Sequence, residues 1–151
     1  MTILAPSVRS ILAAIDQSGR RELVFATAVA MARDCDAQLY LLRVLTMPPD
    51  IPPAAHTQPD GIEDRLAAEA RSELAGLMQS VAPKVRLGPP LIVEGDPWRR
   101  ILDVAREFDV DLIVVGSHRY HGLDRVLGTV AAKVVNHADR NVLVVHDRPG
   151  K

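Results

Sequence analysis

The chain has 151 residues, 48% of them hydrophobic and 25% charged, with a formal net charge of -1 at pH 7. That length suits a single domain, residues 1–151, built round one core, and the near-neutral charge excludes broad electrostatic attraction to nucleic acid or anionic lipid. The one cysteine, Cys35, excludes an internal disulfide and a cysteine-rich zinc site; it lies in an apolar periodic stretch and reads as core filler, with a reactive thiol as the alternative.

The N-terminal stretch MTILAPSVRSILAAID lacks the basic region, long apolar run and small-residue cleavage site of a secretory leader. No segment reaches the length that spans a bilayer. The expectation is a soluble, cytoplasmic protein without nucleic-acid or membrane partners.

Ser10 to Ile15 (SILAAI) is a short apolar strand that ends in the turn Asp16-Gln17-Ser18-Gly19. From about Arg20 to Asp36, Val24, Ala28, Met31 and Cys35 recur at helical spacing, with Ser18 placed to cap the start. Gln38 to Leu45 (QLYLLRVL) is a second strand, apolar enough on both sides for a central place in a parallel sheet. Thr46 to Gly61 carries five prolines and can neither donate a sheet ladder nor propagate a helix. It is a Pro-rich loop, either a functional lid or a segment tolerated at the surface; its PPDIPP stretch either docks on a partner in an extended conformation or stiffens a linker.

A second helix runs from about Ile62 to Val81, with Ile62, Leu66, Ala70, Leu74, Leu77 and Val81 on one face, and Pro83 ends it. Val85 to Val93 is a third strand, weakened by Gly88-Pro89-Pro90 and so suited to a sheet edge. Gly95-Asp96-Pro97 opens a third helix with Trp98, Ile101, Ala105 and Phe108 inward. Asp111 to Val115 is a fourth strand. A fourth helix carries Val126, Val130, Val134 and Ala138 with Leu127, Ala131 and Val135 beside them, and Asn141 to His146 is a fifth strand. This alternation predicts an α/β fold with a parallel sheet and helices on both faces.

Ligands of open parallel sheets bind beyond the carboxyl ends of the strands, where strand order reverses. Two turns are equipped for that. Asp16, after the first strand, can accept hydrogen bonds from ribose hydroxyls or a base edge, or is simply a polar turn residue. After the fourth strand, Gly116 allows close backbone approach, and Gly128-Thr129 opens a helix whose free amides and dipole favour an anion such as phosphate. Thr129 either adds a hydrogen bond to a phosphate or caps the helix. Arg119 and Arg125 in the same loop can supply positive charge. The loop is not a Walker A motif, because five residues separate Gly122 from Gly128 and no lysine precedes Thr129.

The blocks ILAAIDQS, LYLLRV, VEGDPWRRIL, DLIVVGSH and GLDRVLGTVAAKVVNHADRNVLVV together resemble the universal stress protein family over nearly the whole chain. The resemblance implies a Rossmann-like, five-stranded parallel sheet in the order 3-2-1-4-5, with the first and fourth strands adjacent. It implies ATP as ligand, with adenine near Ala14, Asp16, Val44 and Val115, Asp16 reaching toward the ribose, and phosphates at Gly116, Arg119, Gly128, Thr129 and Val130. It also implies a symmetric homodimer through Val142, Leu143, Val144 and Val145 of the fifth strand, which would otherwise be a bare apolar edge.

Two departures stand out. The second glycine of the family's G-x-x-G is Arg119 here, and eight residues, Tyr120 to Leu127, precede Gly128 where the family has nine. Arg119 either obstructs the phosphates or pairs with them. His118 and His121 offer two metal ligands without a third and read as loop or phosphate-edge residues; His56, His137 and His146 read as surface or capping. Ser117 beside His118 lacks an orienting third group, so no catalytic residue is nominated. The activity implied is at most slow ATP hydrolysis or self-phosphorylation, with Mg2+ held largely by the phosphates. Two readings follow: an ATP-binding regulator in a stress response, and a non-nucleotide-binding dimeric interaction module of the same fold acting on an unknown protein partner.

Overall fold

A computed structural model of the chain describes residues 7–47, 52, 61–81, 83–117 and 128–147. Its first unit is β1 (Ser10–Ala14), α1 (Arg21–Cys35) and β2 (Gln38–Leu45), followed by α2 (Ile62–Gln79). Next come β3 (Arg86–Leu87), β4 (Leu91–Glu94), α3 (Pro97–Glu107), β5 (Leu112–Gly116), α4 (Thr129–His137) and β6 (Asn141–Val145). Every strand pairing among the described residues is parallel, in the order β3-β2-β1-β5-β6, with β4 also on β2.

The expected third strand is therefore two strands, which raises the count from five to six without changing the order of the sheet. β3 pairs with Gln38 and Leu39 and β4 with Leu42 to Leu45, so both extend along the same neighbour. Between them, Gly88 still donates to the Leu39 carbonyl at 2.9 Å, but Pro89 and Pro90 have no N–H to continue the ladder. Gly88 also lies against the Tyr40 ring, where an added Cβ would come within 2.4 Å of a ring carbon.

The alternation of β1 divides the core between two faces. Ile11 and Ala13 pack with Leu39, Leu41 and Val114 against Val24, Phe25, Ala28 and Ala32 of α1 and Leu74 of α2. Leu12 packs with Leu42, Ile113 and Val115 against Ile101, Leu102, Val104 and Ala105 of α3 and Ala131 and Val134 of α4. Helices thus cover both faces of a buried parallel sheet.

Several packing expectations need correction. Cys35 is exposed: it is the last residue of α1, and Asp36 then takes a left-handed conformation (φ 52°) that turns the chain back and buries Ala37 instead. Ser18 does not cap α1; its Oγ accepts from the Arg20 amide at 3.3 Å, one step before the helix. Val130 and Val135 of α4 are exposed, because the buried stripe of this short helix runs through Ala131 and Val134. Trp98 does face inward as expected: half-buried, it packs against the core between α3 and α4 and stacks on His137 at a centroid separation of 4.7 Å. No helix among the described residues is long and apolar enough to cross a membrane.

Candidate functional site

Because β1 and β5 are adjacent while their connections leave in opposite directions along the sheet, the carboxyl ends of β1, β2 and β5 open onto one crevice. A cavity of about 550 Å³ lies there, within the range of small-molecule sites. Ala14, Leu42, Val44 and Val115 give it apolar walls, Asp16 and Thr46 add polar groups, and Gly116, Thr129 and Val130 line its far side. Leu66 near the start of α2 and Pro97 at the start of α3 complete the rim.

Asp16 is held by its own turn. Its Oδ1 accepts from the Ser18 amide at 2.9 Å and from the Ser18 hydroxyl at 2.5 Å. No hydrogen bond to Oδ2 is made by the described residues, which leaves that oxygen with its acceptor capacity unused beside the cavity. The turn backbone is held from β2: the buried Arg43 donates through Nε to the Ile15 carbonyl and through Nη2 to the Asp16 carbonyl at 3.3 Å.

The opposite wall begins at Gly116. An added Cβ there would come 3.1 Å from Val24 Cγ2, so packing against α1 favours glycine at this position independently of any ligand. Gly128 is the N-cap of α4 and no side chain among the described residues caps the helix; Thr129 is its first helical residue, which removes the capping role considered for it. The first intrahelical bond runs from the Ala132 amide to the Gly128 carbonyl at 2.9 Å. The amides of Thr129, Val130 and Ala131 are therefore without helical acceptors and lie where the helix dipole is positive.

Of the nominated residues, Ala14, Asp16, Val44, Val115, Gly116, Thr129 and Val130 line this cavity, and Gly128 adjoins it as the cap of α4. Arg119, Arg125, His118 and His121 lie outside the described residues. Ser117 is fully buried, with no hydrogen-bond partner for its Oγ among the described residues, and is not disposed as an exposed nucleophile. Sequence reasoning missed Leu42, Arg43 and Leu66. For Arg43 the signal was there: an arginine inside QLYLLRVL, a strand apolar on both sides, has to find acceptors within the fold.

The chain matches the universal stress protein family over residues 7–146. It is 32% identical over 139 residues to universal stress protein A homolog 1 of Coxiella burnetii, covering 91% of this chain and 95% of that one. Among solved structures it is similar to universal stress protein UspA from Lactobacillus plantarum, at 28% identity and a TM-score of 0.74 over 93% of this chain and 99% of that one. It is also similar to the universal stress protein from Archaeoglobus fulgidus in complex with dAMP, at 25% identity and a TM-score of 0.61 over 92% and 98%. The matched span takes in every strand of the sheet and all the helices described above, and the chain belongs to the universal stress protein family.

Proposed function

We propose that the cavity binds ATP, with Mg2+ carried on its phosphates, and that binding serves regulation in a stress response and not catalytic turnover. The observation that carries this reading is the cavity itself: apolar walls, a carboxylate and a helix start that no described side chain caps surround one space. Adenine suits the walls of Ala14, Val44 and Val115; the free Asp16 oxygen accepts from a ribose hydroxyl; the open amides of α4, with Gly116, Gly128, Thr129 and Val130, suit phosphate oxygens. The dAMP complex of the Archaeoglobus fulgidus protein supports a nucleotide as the ligand class. Arg119 takes the phosphate edge in this reading on the family resemblance alone; its charge suits a phosphate.

Calorimetric titration with ATP and Mg2+ tests this. The native chain is expected to bind, and Asp16→Ala to lose between about ten- and a hundredfold in affinity, the loss of one strong hydrogen-bond acceptor. Arg119→Gly is expected to bind more weakly than the native chain. Absence of binding by the native chain, with binding gained by Arg119→Gly, would overturn the reading and identify the arginine as an obstruction.

A second reading rests on β6. Among the described residues it pairs only with β5, and Val142, Leu143 and Val144 are incompletely buried. We propose that Val142, Leu143, Val144 and Val145 pair with the same strand of a second copy, which removes a bare edge. In this reading the dimer, with or without nucleotide, is the surface that meets a protein partner. Val144→Lys is expected to shift the mass measured by light scattering from dimer to monomer; an unchanged dimer mass would rule out this interface.

A further inference from the structure

We propose that Arg43 is a positioning residue: from β2 it holds the turn after β1, and through that turn Asp16, at the edge of the cavity. Its binding consequence rests on the nucleotide reading above, whereas the positioning itself does not.

Arg43 shares a sheet face with Leu39 and Leu41, and its side chain is only 3% exposed. An aliphatic residue would fill such a site without the cost of withdrawing a guanidinium from water. Nη1 is buried without an acceptor among the described residues, a further cost that packing alone does not explain. The other nitrogens account for the choice. Nε reaches the Ile15 carbonyl, and Nη2 reaches both the Asp16 carbonyl at 3.3 Å and the Glu73 carboxylate of α2 at 2.7 Å. Glu73 also lies 3.5 Å from Arg21, the first residue of α1.

These contacts fall where the sheet stops supporting the chain. β1 pairs with β2 through Ala14, and the Ile15 amide makes one more bond, to the Leu42 carbonyl at 2.8 Å. The next two carbonyls turn to the guanidinium instead of to a strand. Ser18 fixes the Asp16 carboxylate relative to its own turn, but that bond is local and would move with the turn. Arg43 ties the turn to β2, the strand that supplies Leu42 and Val44 to the same cavity. The planar fork spans two carbonyls and a carboxylate at once, which a lysine ammonium on a flexible stem does not reproduce.

Amide hydrogen exchange on the full chain, without ligand, tests the positioning. In Arg43→Met, where Glu73 keeps Arg21 as its partner, exchange at the Ser18 and Arg20 amides is expected to rise at least tenfold while the amides of β5 are unchanged. Arg43→Lys, which keeps the buried charge and guards against a variant that fails to fold, is expected to show the same turn-selective rise at smaller amplitude. Unchanged exchange at the turn, or a rise of equal size in β5, would overturn the proposal.

Calorimetry with ATP and Mg2+ supplies the second arm. Arg43→Met is expected to lose about tenfold in affinity, and to add little to the loss caused by Asp16→Ala when the two are combined. Losses that multiply in full would show that Arg43 does not act through Asp16. If the native chain binds no ATP, the nucleotide reading fails and hydrogen exchange alone decides the positioning.

Discussion

The two ends of the sheet are built on opposite principles. At the amino end, polar groups near the strand starts are matched. The Asp111 carboxylate accepts from the Arg9 amide at 2.8 Å and the Ser10 amide at 3.1 Å, and the Asp111 amide returns a bond to the Ser10 carbonyl. Arg140 donates to the carbonyls of Ala105 and Val110, both at 2.9 Å, and joins α3 to the start of β6. Asp36 and Asp109, both left-handed, close α1 and α3 in the same way, each delivering a buried residue, Ala37 or Val110, to the strand that follows.

At the carboxyl end the matching is incomplete. The buried side-chain atoms without partners among the described residues are Arg43 Nη1, Arg100 Nε and Ser117 Oγ, and all lie near the strand ends or in the first turn of α3. The amides that open α4 have no side-chain cap among the described residues. A parallel sheet permits this division, because all strand starts share one edge and all strand ends the other. One end matches its polar groups and holds the fold together, while the other leaves polar groups unmatched beside the cavity.

Breaking the amino end should therefore cost stability and leave the cavity alone. Arg140→Ala removes bonds to two carbonyls and pairs with Asp109 and Asp139, from a side chain that is 15% exposed. A loss of about 3 kcal/mol is expected, since buried carbonyls are left without a charged donor. Urea unfolding checks this, with ATP titration of the still-folded variant expected to match the native chain. A change in affinity comparable to that of Asp16→Ala would mean that the two ends are not independent.

Asp111→Ala is a milder break at the same end. The carboxylate serves two amides at the start of β1, much as a cap serves a helix, and about 1 kcal/mol is the expected loss in the same urea experiment. Arg9 and Ser10 amide exchange should rise with it, while exchange at Ser18 should not.

How far these ends were legible differs for physical reasons. The strands and helices announced themselves because SILAAI, DLIVV and NVLVV are short apolar runs, whereas the helical segments repeat every three or four residues. The division of the third strand was half visible: Gly88-Pro89-Pro90 signalled a weak edge, but not that ladder pairing resumes beyond it. Periodicity misled at Cys35, which keeps the helical spacing of the core while occupying the final helical position. The cavity was legible at Asp16, Gly116 and Gly128-Thr129, where turn chemistry and backbone freedom are local properties. Arg43 and Arg140 were not singled out in the sequence because the carbonyls they bind are 27 to 35 residues distant. A charge flanked by polar residues, as at Arg140, looks like surface until the fold is known.

The smallest expected effect concerns how the amino end responds to acid. Hydrogen bonding to Arg140 lowers the Asp139 carboxyl below its ordinary value of 3.8, and Asp139 in turn raises the Arg140 guanidinium. Arg140 stays charged throughout, so within the Asp139–Arg140 pair only the carboxyl titrates, and the comparison with Asp139→Asn isolates it from Asp109, which also pairs with Arg140. A carboxyl depressed in the folded state stabilises the fold above its unfolded value and loses that contribution as pH falls through the folded value. The native chain should thus have a slightly higher urea midpoint than Asp139→Asn at pH 7, and the gap should narrow below pH 3.8. Because the carboxylate is exposed, salt should shrink the gap as well. A gap that persists undiminished below the folded value would show that Asp139 acts through packing or backbone geometry and that its charge contributes nothing to the matching of this end.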